Sequence, residues 1–242
     1  MLQIPTIVVL ACLTILASSQ PGRLSIISSN WTGAATNIQD SQTTITDGGS
    51  GNVFTAGGVV GSGNATTVLQ VSGSNNTIGA VTVTGSENST INIYVFGSEN
   101  VLAGITVTGS ANSVTNIYIS GSNNAIGGLT VTCSVNAFVE LLITDDDNSI
   151  AGSTISASDS SSAIWTISGS WNALTGETIT TTESASSEIE ITGDSNSLTA
   201  LTASSSDFSQ FTYTMPANGY ADSGRIVSTQ MAEAINIMVP SA

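Results

Sequence analysis

Carboxylates and hydroxyls are the side chains of this 242-residue sequence that could do chemistry. There are seventeen Asp and Glu residues and no His, and since the two basic residues are Arg23 and Arg225 there is no Lys. General-base catalysis by an imidazole or a lysine amine is therefore excluded. The net charge of −15 also argues against nucleic acids and anionic membranes as partners, because both are bound through basic side chains.

Two groups of acidic residues are close enough in sequence to form a site. The run Asp145–Asp147 has the carboxylates that calcium prefers, but it lies in no EF-hand frame and fits a solvated acidic turn. Glu177 lies near Glu188 and Glu190, but strand alternation places that pair on the opposite side of the core, with no basic residue nearby. The sequence therefore predicts no metal site, no cofactor and no enzyme.

Hydroxyl groups recur at a fixed spacing that the acidic residues lack. Six pairs of Thr or Ser each bracket one residue, and successive pairs begin 24 residues apart. Ten of these twelve residues are Thr and two are Ser. The pairs are Thr82 and Thr84, Thr106 and Thr108, Thr130 and Thr132, Thr154 and Ser156, Thr178 and Thr180, and Thr202 and Ser204.

These pairs belong to a longer repeat. From Gly49 to Pro216 the chain divides into fourteen rows of twelve residues, most of which begin with Gly-Ser-x-Asn. Gly and Asn tolerate left-handed backbone angles, so this tetrapeptide marks a turn. Positions nine and eleven are mostly apolar, which indicates a strand with one buried face. Odd and even rows end differently, so the full period is 24 residues.

A short strand and turn cannot bury an apolar face alone, but stacked coils can. The sequence therefore predicts an all-β protein, a single β-solenoid over residues 49–216 with about seven two-sided coils of 24 residues. Residues 21–48 and 217–242 break the repeat and are predicted to cap the two ends, with a helix over 230–237 as one option.

Residues 1–20 contain a short apolar run followed by small residues, which is typical of a signal peptide. We therefore expect a secreted, extracellular protein with no membrane span. Cleavage of the signal peptide would remove Cys12 and leave Cys133 as the only thiol, so no intrachain disulfide is expected.

Asparagine occupies position four in eleven of the fourteen rows, which suggests a stacked side-chain ladder. Glycosylation sequons occur at Asn30, Asn64, Asn75 and Asn88. Asn64 and Asn88 stand at the ladder position and should be free of glycan if the ladder is buried. Asn30 and Asn75 are therefore the expected acceptors.

The threonine pairs are expected on the solenoid surface, because the residues that alternate with them are apolar. Thr favours exposed strands in general, so a purely structural reason for the pairs stays open. The opposite side is an internal comparison, since its outward positions hold mixed residues such as Tyr94, Phe96 and Tyr118. Strand propensity alone would allow the same mixture on both sides.

In this Thr-x-Thr register the sequence resembles the β-solenoid ice-binding, or antifreeze, proteins, notably those of insects. The resemblance implies that hydroxyls and methyls order a layer of water that matches ice and freezes the protein onto a growing crystal. It further implies that the twelve paired Thr and Ser residues contact ice. The small insect proteins are commonly stapled by disulfides, which this chain lacks.

The expected function is adsorption to ice through a flat Thr-x-Thr face, with ice or ordered water as the partner. The alternative is an extracellular structural or adhesive protein that self-associates through its faces or coil ends, as in a matrix or cell wall. Neither alternative involves a cofactor or a catalysed reaction.

Overall fold

The computed structural model describes residues 23–27, 31–32, 38–39, 42–51, 53–55, 58–214, 220–221, 225–228 and 234–238. Every regular element within these ranges is a β-strand. No helix in the described part of the chain is long and apolar enough to cross a membrane. The predicted signal peptide, residues 1–20, lies outside the described residues.

The strands form three parallel sheets that run along the molecule. The long sheet has seven-residue strands at its centre and contains Arg23–Ile27, Gln42–Gly48, Thr66–Ser72, Thr90–Phe96, Val114–Ser120, Phe138–Thr144, Ser162–Ser168, Ser186–Thr192, Gln210–Thr214 and Ala234–Met238.

The narrow sheet is built mainly from three-residue strands and contains Trp31–Thr32, Val53–Thr55, Thr77–Gly79, Val101–Ala103, Ala125–Gly127, Ser149–Ala151, Ala173–Thr175, Ser197–Thr199 and Tyr220–Ala221. The threonine sheet contains Ile38–Gln39, Gly58–Ser62, Thr82–Gly85, Thr106–Gly109, Thr130–Cys133, Thr154–Ala157, Thr178–Thr181, Thr202–Ser205 and Arg225–Ser228.

Each 24-residue coil contributes one strand to each sheet, so the strands between Gln42 and Thr214 pair with one another at an offset of 24 residues. Thr90–Phe96, for example, pairs in parallel with Thr66–Ser72 on one side and with Val114–Ser120 on the other. The unbroken stretch 58–214 holds about six such coils, close to the predicted seven. The predicted all-β fold, a single β-solenoid with a 24-residue coil, is confirmed.

The coil has three sides where the sequence suggested two, because each odd row bends in its middle. The bend lies at position eight, where the backbone φ is positive, between 52° and 74° in the six coils. A left-handed φ is costly for most residues and cheapest for glycine. This explains why only small residues stand there, namely Ala80, Gly104, Gly128, Gly152, Gly176 and Ala200.

The tetrapeptide Gly-Ser-x-Asn forms two different corners. In even rows positions three and four are both left-handed, as in Glu87 and Asn88, and join the threonine sheet to the long sheet. In odd rows positions one and three have positive φ, as in Gly97 and Glu99, and join the long sheet to the narrow sheet. A Cβ atom at Gly97 would collide with the carbonyl oxygen of Gly73 in the preceding coil, so this corner favours glycine, although Asp145 takes the same position one coil further on from Gly121 with a φ of 77°.

The core fills the space between the three sheets. Alternate residues of the long sheet, such as Ile91, Ile93 and Val95, point inward and are almost completely buried. Leu102 of the narrow sheet and Val107 of the threonine sheet meet them from the other two sides. Because the inward side chains of all three sheets share this single core, the side chains that alternate with them point outward in regular rows.

The segments predicted as caps supply further strands to the same sheets. Arg23–Ile27 pairs with Gln42–Gly48 at one end, and Ala234–Met238 pairs with Gln210–Thr214 at the other. The suggested helix over 230–237 is therefore wrong for the described part of that stretch, which belongs to the strand Ala234–Met238. The capping role of 21–48 and 217–242 stays a prediction.

Candidate functional site

The twelve paired Thr and Ser residues come together on one sheet. Thr106 pairs in register with Thr82 and with Thr130, and Thr108 does the same with Thr84 and Thr132. The next three coils continue this register without a bulge. We call these twelve residues the threonine face: Thr82, Thr84, Thr106, Thr108, Thr130, Thr132, Thr154, Ser156, Thr178, Thr180, Thr202 and Ser204.

The outward direction of the threonine face follows from the core beneath it. The residue inside each pair, from Val83 to Ala203, is buried at 1% exposure or less. The Thr and Ser residues on either side are half-buried or exposed, as alternation on a strand requires. Neighbouring strands lie about 4.7–4.9 Å apart and alternate residues about 6.6–6.8 Å apart, so the two columns span roughly 7 Å by 25 Å.

The hydroxyls of the threonine face make almost no hydrogen bonds with one another in the described part of the chain. Ser204 donates a hydrogen bond to Thr180 at 3.4 Å, the one side-chain hydrogen bond between members of the face in the described structure. The other hydroxyls in the pairs are therefore available to water. The two columns carry no charged side chain, so nothing in them holds water as tightly as an ion would.

The threonine face ends where the pairing partners change. On one side, Thr82 and Thr84 pair with Gly58 and Val60. On the other side, Thr202 pairs with Arg225, and Ser204 pairs with Val227. The array is thus limited to six coils of the sheet, even though the sheet itself continues past both ends.

A third column of hydroxyl-bearing residues, which was not predicted from the sequence, lies beside the threonine face. The residue two positions after each pair is also half-buried on the outward side, and its backbone N–H continues the pairing, as in Ser110 N–H to Gly85 O at 3.0 Å. The sequence does contain a signal for this column, because a Ser or Thr follows two positions after every pair. This serine column contains Ser86, Ser110, Ser134, Ser158, Thr182 and Ser206.

The long sheet shows what the same fold accepts elsewhere. Its outward residues include the stacked rings of Tyr94 and Phe96, whose centroids are 5.9 Å apart, and the tilted ring of Tyr118 at 5.8 Å from Phe96. Asn116 donates to the side-chain oxygen of Asn92 at 2.9 Å in the adjacent coil. Aromatic, amide, acidic and hydroxyl side chains are therefore all tolerated on this fold, which makes the uniform threonine face distinctive.

The predicted asparagine ladder exists, but only in the odd rows. The Asn100 side-chain oxygen accepts a hydrogen bond from the backbone N–H of Asn76 at 2.9 Å, and its amide donates to Gly97 O at 2.9 Å. The contact from backbone N–H to side-chain oxygen recurs between successive coils up to Asn196. The amides of Asn76, Asn124 and Asn148 also donate to the carbonyl three residues earlier, whereas those of Asn172 and Asn196 donate to Asp145 O and Gly169 O in the preceding coil. The buried ladder consists of Asn76, Asn100, Asn124, Asn148, Asn172 and Asn196.

The expectation that Asn64 and Asn88 belong to this ladder is wrong. Both belong to even rows, whose corner turns the side chain at position four outward, and both are exposed. Asn75, an expected glycan acceptor, is also exposed, with a φ of 60°. Asn30, the other expected acceptor, lies outside the described residues.

Glu177 is an unexpected buried acid beneath the threonine sheet. It occupies position nine of its coil, where the neighbouring coils have Ser153 and Leu201, and it is only 1% exposed. Its carboxylate accepts a hydrogen bond from Ser153 N–H at 3.0 Å. Burial raises the pKa of Glu177 to about 7, although this hydrogen bond opposes the shift. Glu188 and Glu190 lie on the outside of the long sheet, so the three acids form no common site.

The acidic turn Asp145–Asp147 uses its carboxylates within the protein. Asp145 accepts hydrogen bonds from Gly121 N–H at 2.9 Å and from the Ser120 hydroxyl at 3.1 Å. Asp146 accepts one from Ser170 N–H at 2.6 Å. These bonds tie adjacent coils together, and no cluster suited to a metal ion occurs within the described part of the chain.

In comparisons with protein-family models, with curated proteins and with solved structures, the chain matched none of them. Its class is therefore defined by geometry. It is a parallel β-solenoid with three sheets, one of which carries a regular, uncharged face of hydroxyl-bearing side chains.

Proposed function

We propose that this protein binds ice through the threonine face and so inhibits the growth or recrystallisation of ice. The observation that carries the proposal is the contrast between sheets. One sheet keeps Thr or Ser at all twelve outward pair positions over six coils, whereas the long sheet varies freely at the equivalent positions. A general preference of strands for Thr would act on both sheets alike.

Thr suits an ice-binding surface for physical reasons. Its hydroxyl exchanges hydrogen bonds with water, and its methyl group gives a surface that water covers without being held tightly. Its χ1 angle is restricted because the side chain is branched at Cβ, so little order has to be imposed on binding. A parallel sheet repeats these groups every 4.7–4.9 Å or so, a spacing that a connected layer of water molecules can follow.

The absence of charge on the threonine face supports the same function. Acidic residues lie on the corners and on the long sheet, as with Glu87 and Glu190, and there they keep a protein with a net charge of −15 soluble. Ice and ordered water are neutral partners, which fits a face built from hydroxyls and methyls alone. The protein would act by adsorption, with no reaction and no cofactor.

The test replaces the centre of the threonine face. The double variant Thr130→Tyr and Thr132→Tyr should lose most of its thermal hysteresis and ice shaping, because two bulky rings interrupt the array. Both substitutions point outward, so circular dichroism and the melting temperature should stay close to those of the unchanged protein. Tyr118→Lys on the long sheet is the matched control and should retain full activity.

A measurement on the unchanged protein also distinguishes ice binding from a structural, self-associating role. It should become enriched in a slowly growing ice crystal. If it neither enters the ice nor shapes crystals, the proposal fails. Formation of filaments by the same preparation would then favour a structural, self-associating protein.

A further inference from the structure

We propose that Asn88 carries an N-linked glycan, at the corner where the threonine sheet turns into the long sheet. This modification goes beyond ice binding and does not depend on it. Asn88 begins the sequon Asn88-Ser89-Thr90, and glycan transfer requires a sequon whose asparagine can reach solvent.

The surroundings of Asn88 leave its amide available. The residue is exposed, and its φ of 66° directs the side chain away from the core. Its backbone N–H is bonded to Ala111 O at 3.0 Å, whereas its side-chain amide makes no hydrogen bond within the described structure. In contrast, the amide of Asn100 is buried and donates to Gly97 O. A glycan on Asn88 would therefore break no contact of the fold.

Strand geometry decides which asparagines at position four can belong to a sequon. The third residue of such a sequon falls at position six. In odd rows that position is a core residue, as in Leu102, so a ladder asparagine cannot be followed by the required Thr without a polar group in the core. In even rows position six begins a long-sheet strand and faces outward, as Thr90 does. The exposed corner and the permitted sequon thus coincide.

Asn64 occupies the same corner one coil earlier and has the sequon Asn64-Ala65-Thr66. The two asparagines stand one strand spacing apart, about 4.8 Å. A bulky glycan on one therefore crowds the other. For this reason the test measures Asn88 in a background in which the other three sequon asparagines, Asn30, Asn64 and Asn75, are changed to Gln.

The full chain, preceded by a leader that ensures entry into the secretory pathway, is produced in eukaryotic cells. Glycan attachment is mapped by mass spectrometry of peptides after enzymatic release of N-glycans. We expect one glycan at Asn88, which is lost in Asn88→Gln and unaffected by Asn112→Gln. Asn112 is the matched control because it has the same exposed corner position, with a φ of 64°, but no sequon.

A gain-of-site variant tests the geometric rule itself. Val114→Thr completes a sequon at the exposed Asn112 and should add one glycan to secreted protein. Leu102→Thr completes a sequon at the buried Asn100 and should yield no folded, glycosylated protein. The inference is overturned if Asn88 is unmodified in the secreted protein, or if the Val114→Thr protein is secreted without a glycan at Asn112.

Discussion

The carboxyl group of Glu177 has the most unusual setting of any acid described in this structure. It is almost completely buried beneath the threonine sheet, with the Ser153 N–H as its hydrogen-bond donor. Burial disfavours the charged form, so the pKa rises from 4.5 to about 7. The protonated form is therefore the one that the fold favours.

Glu177 should make stability depend on pH. Because the folded pKa is raised, its contribution is complete below about pH 4.5 and is lost as the pH rises through about 7. The shift corresponds to roughly 3 kcal/mol at most. Glu177→Gln should remove this part of the pH dependence of the free energy of unfolding, measured by denaturant titration between pH 4 and 8. The exposed Glu190→Gln is the control, and equal effects of the two variants would contradict the prediction.

At the scale of the element, the threonine sheet and the corner that follows it act as one surface. The serine column continues the outward alternation of the threonine face, so each coil presents three hydroxyl-bearing residues in a row. No charged side chain interrupts these rows before the acidic corner residues such as Glu87 and Asp159 begin. The surface proposed to meet ice would then be three columns wide instead of two.

Ser134→Tyr tests this wider surface. A tyrosine ring beside Thr132 should reduce thermal hysteresis at least twofold, because it raises the edge of the array above the plane of the neighbouring columns. Ser122→Tyr is the matched control, since Ser122 has the same position of the row at the corner between the long and narrow sheets. If both variants keep full activity while remaining folded, the serine column lies outside the binding surface.

At the scale of the whole molecule, the solenoid is a stack in which each coil contacts its two neighbours through three sheets. Its stability is therefore close to a sum of coil and interface terms. The asparagine ladder repeats with the same 24-residue interval as the strands, so it imposes the same register on every coil. Removal of a whole 24-residue coil should leave the fold intact, whereas removal of half a coil should not.

Deletion of residues 121–144 removes one complete coil and should give a folded protein. Its threonine face would have five coils instead of six, so thermal hysteresis should fall while circular dichroism keeps its β-sheet form. Deletion of residues 121–132 removes only an odd row and brings two even rows together, which breaks both the ladder and the sheet order. That variant should fail to fold, and a stable, active product from it would refute the 24-residue unit.

The sequence by itself determined the repeat length, the strand alternation and the outward position of the threonine pairs. These features depend on neighbours within one row, since side chains on a strand alternate and apolar residues go inward. The parallel stack then follows, because one row cannot bury its apolar face alone.

Only the tertiary structure decided how many sides the coil has and which asparagines are buried. Gly-Ser-x-Asn forms both kinds of corner, and the kind that it forms depends on its backbone angles and on contacts with residues 24 positions away. The serine column and the burial of Glu177 were settled in the same way. A single row shows which residues alternate, but it does not contain the neighbouring coils that turn a hydroxyl outward or enclose a carboxyl group.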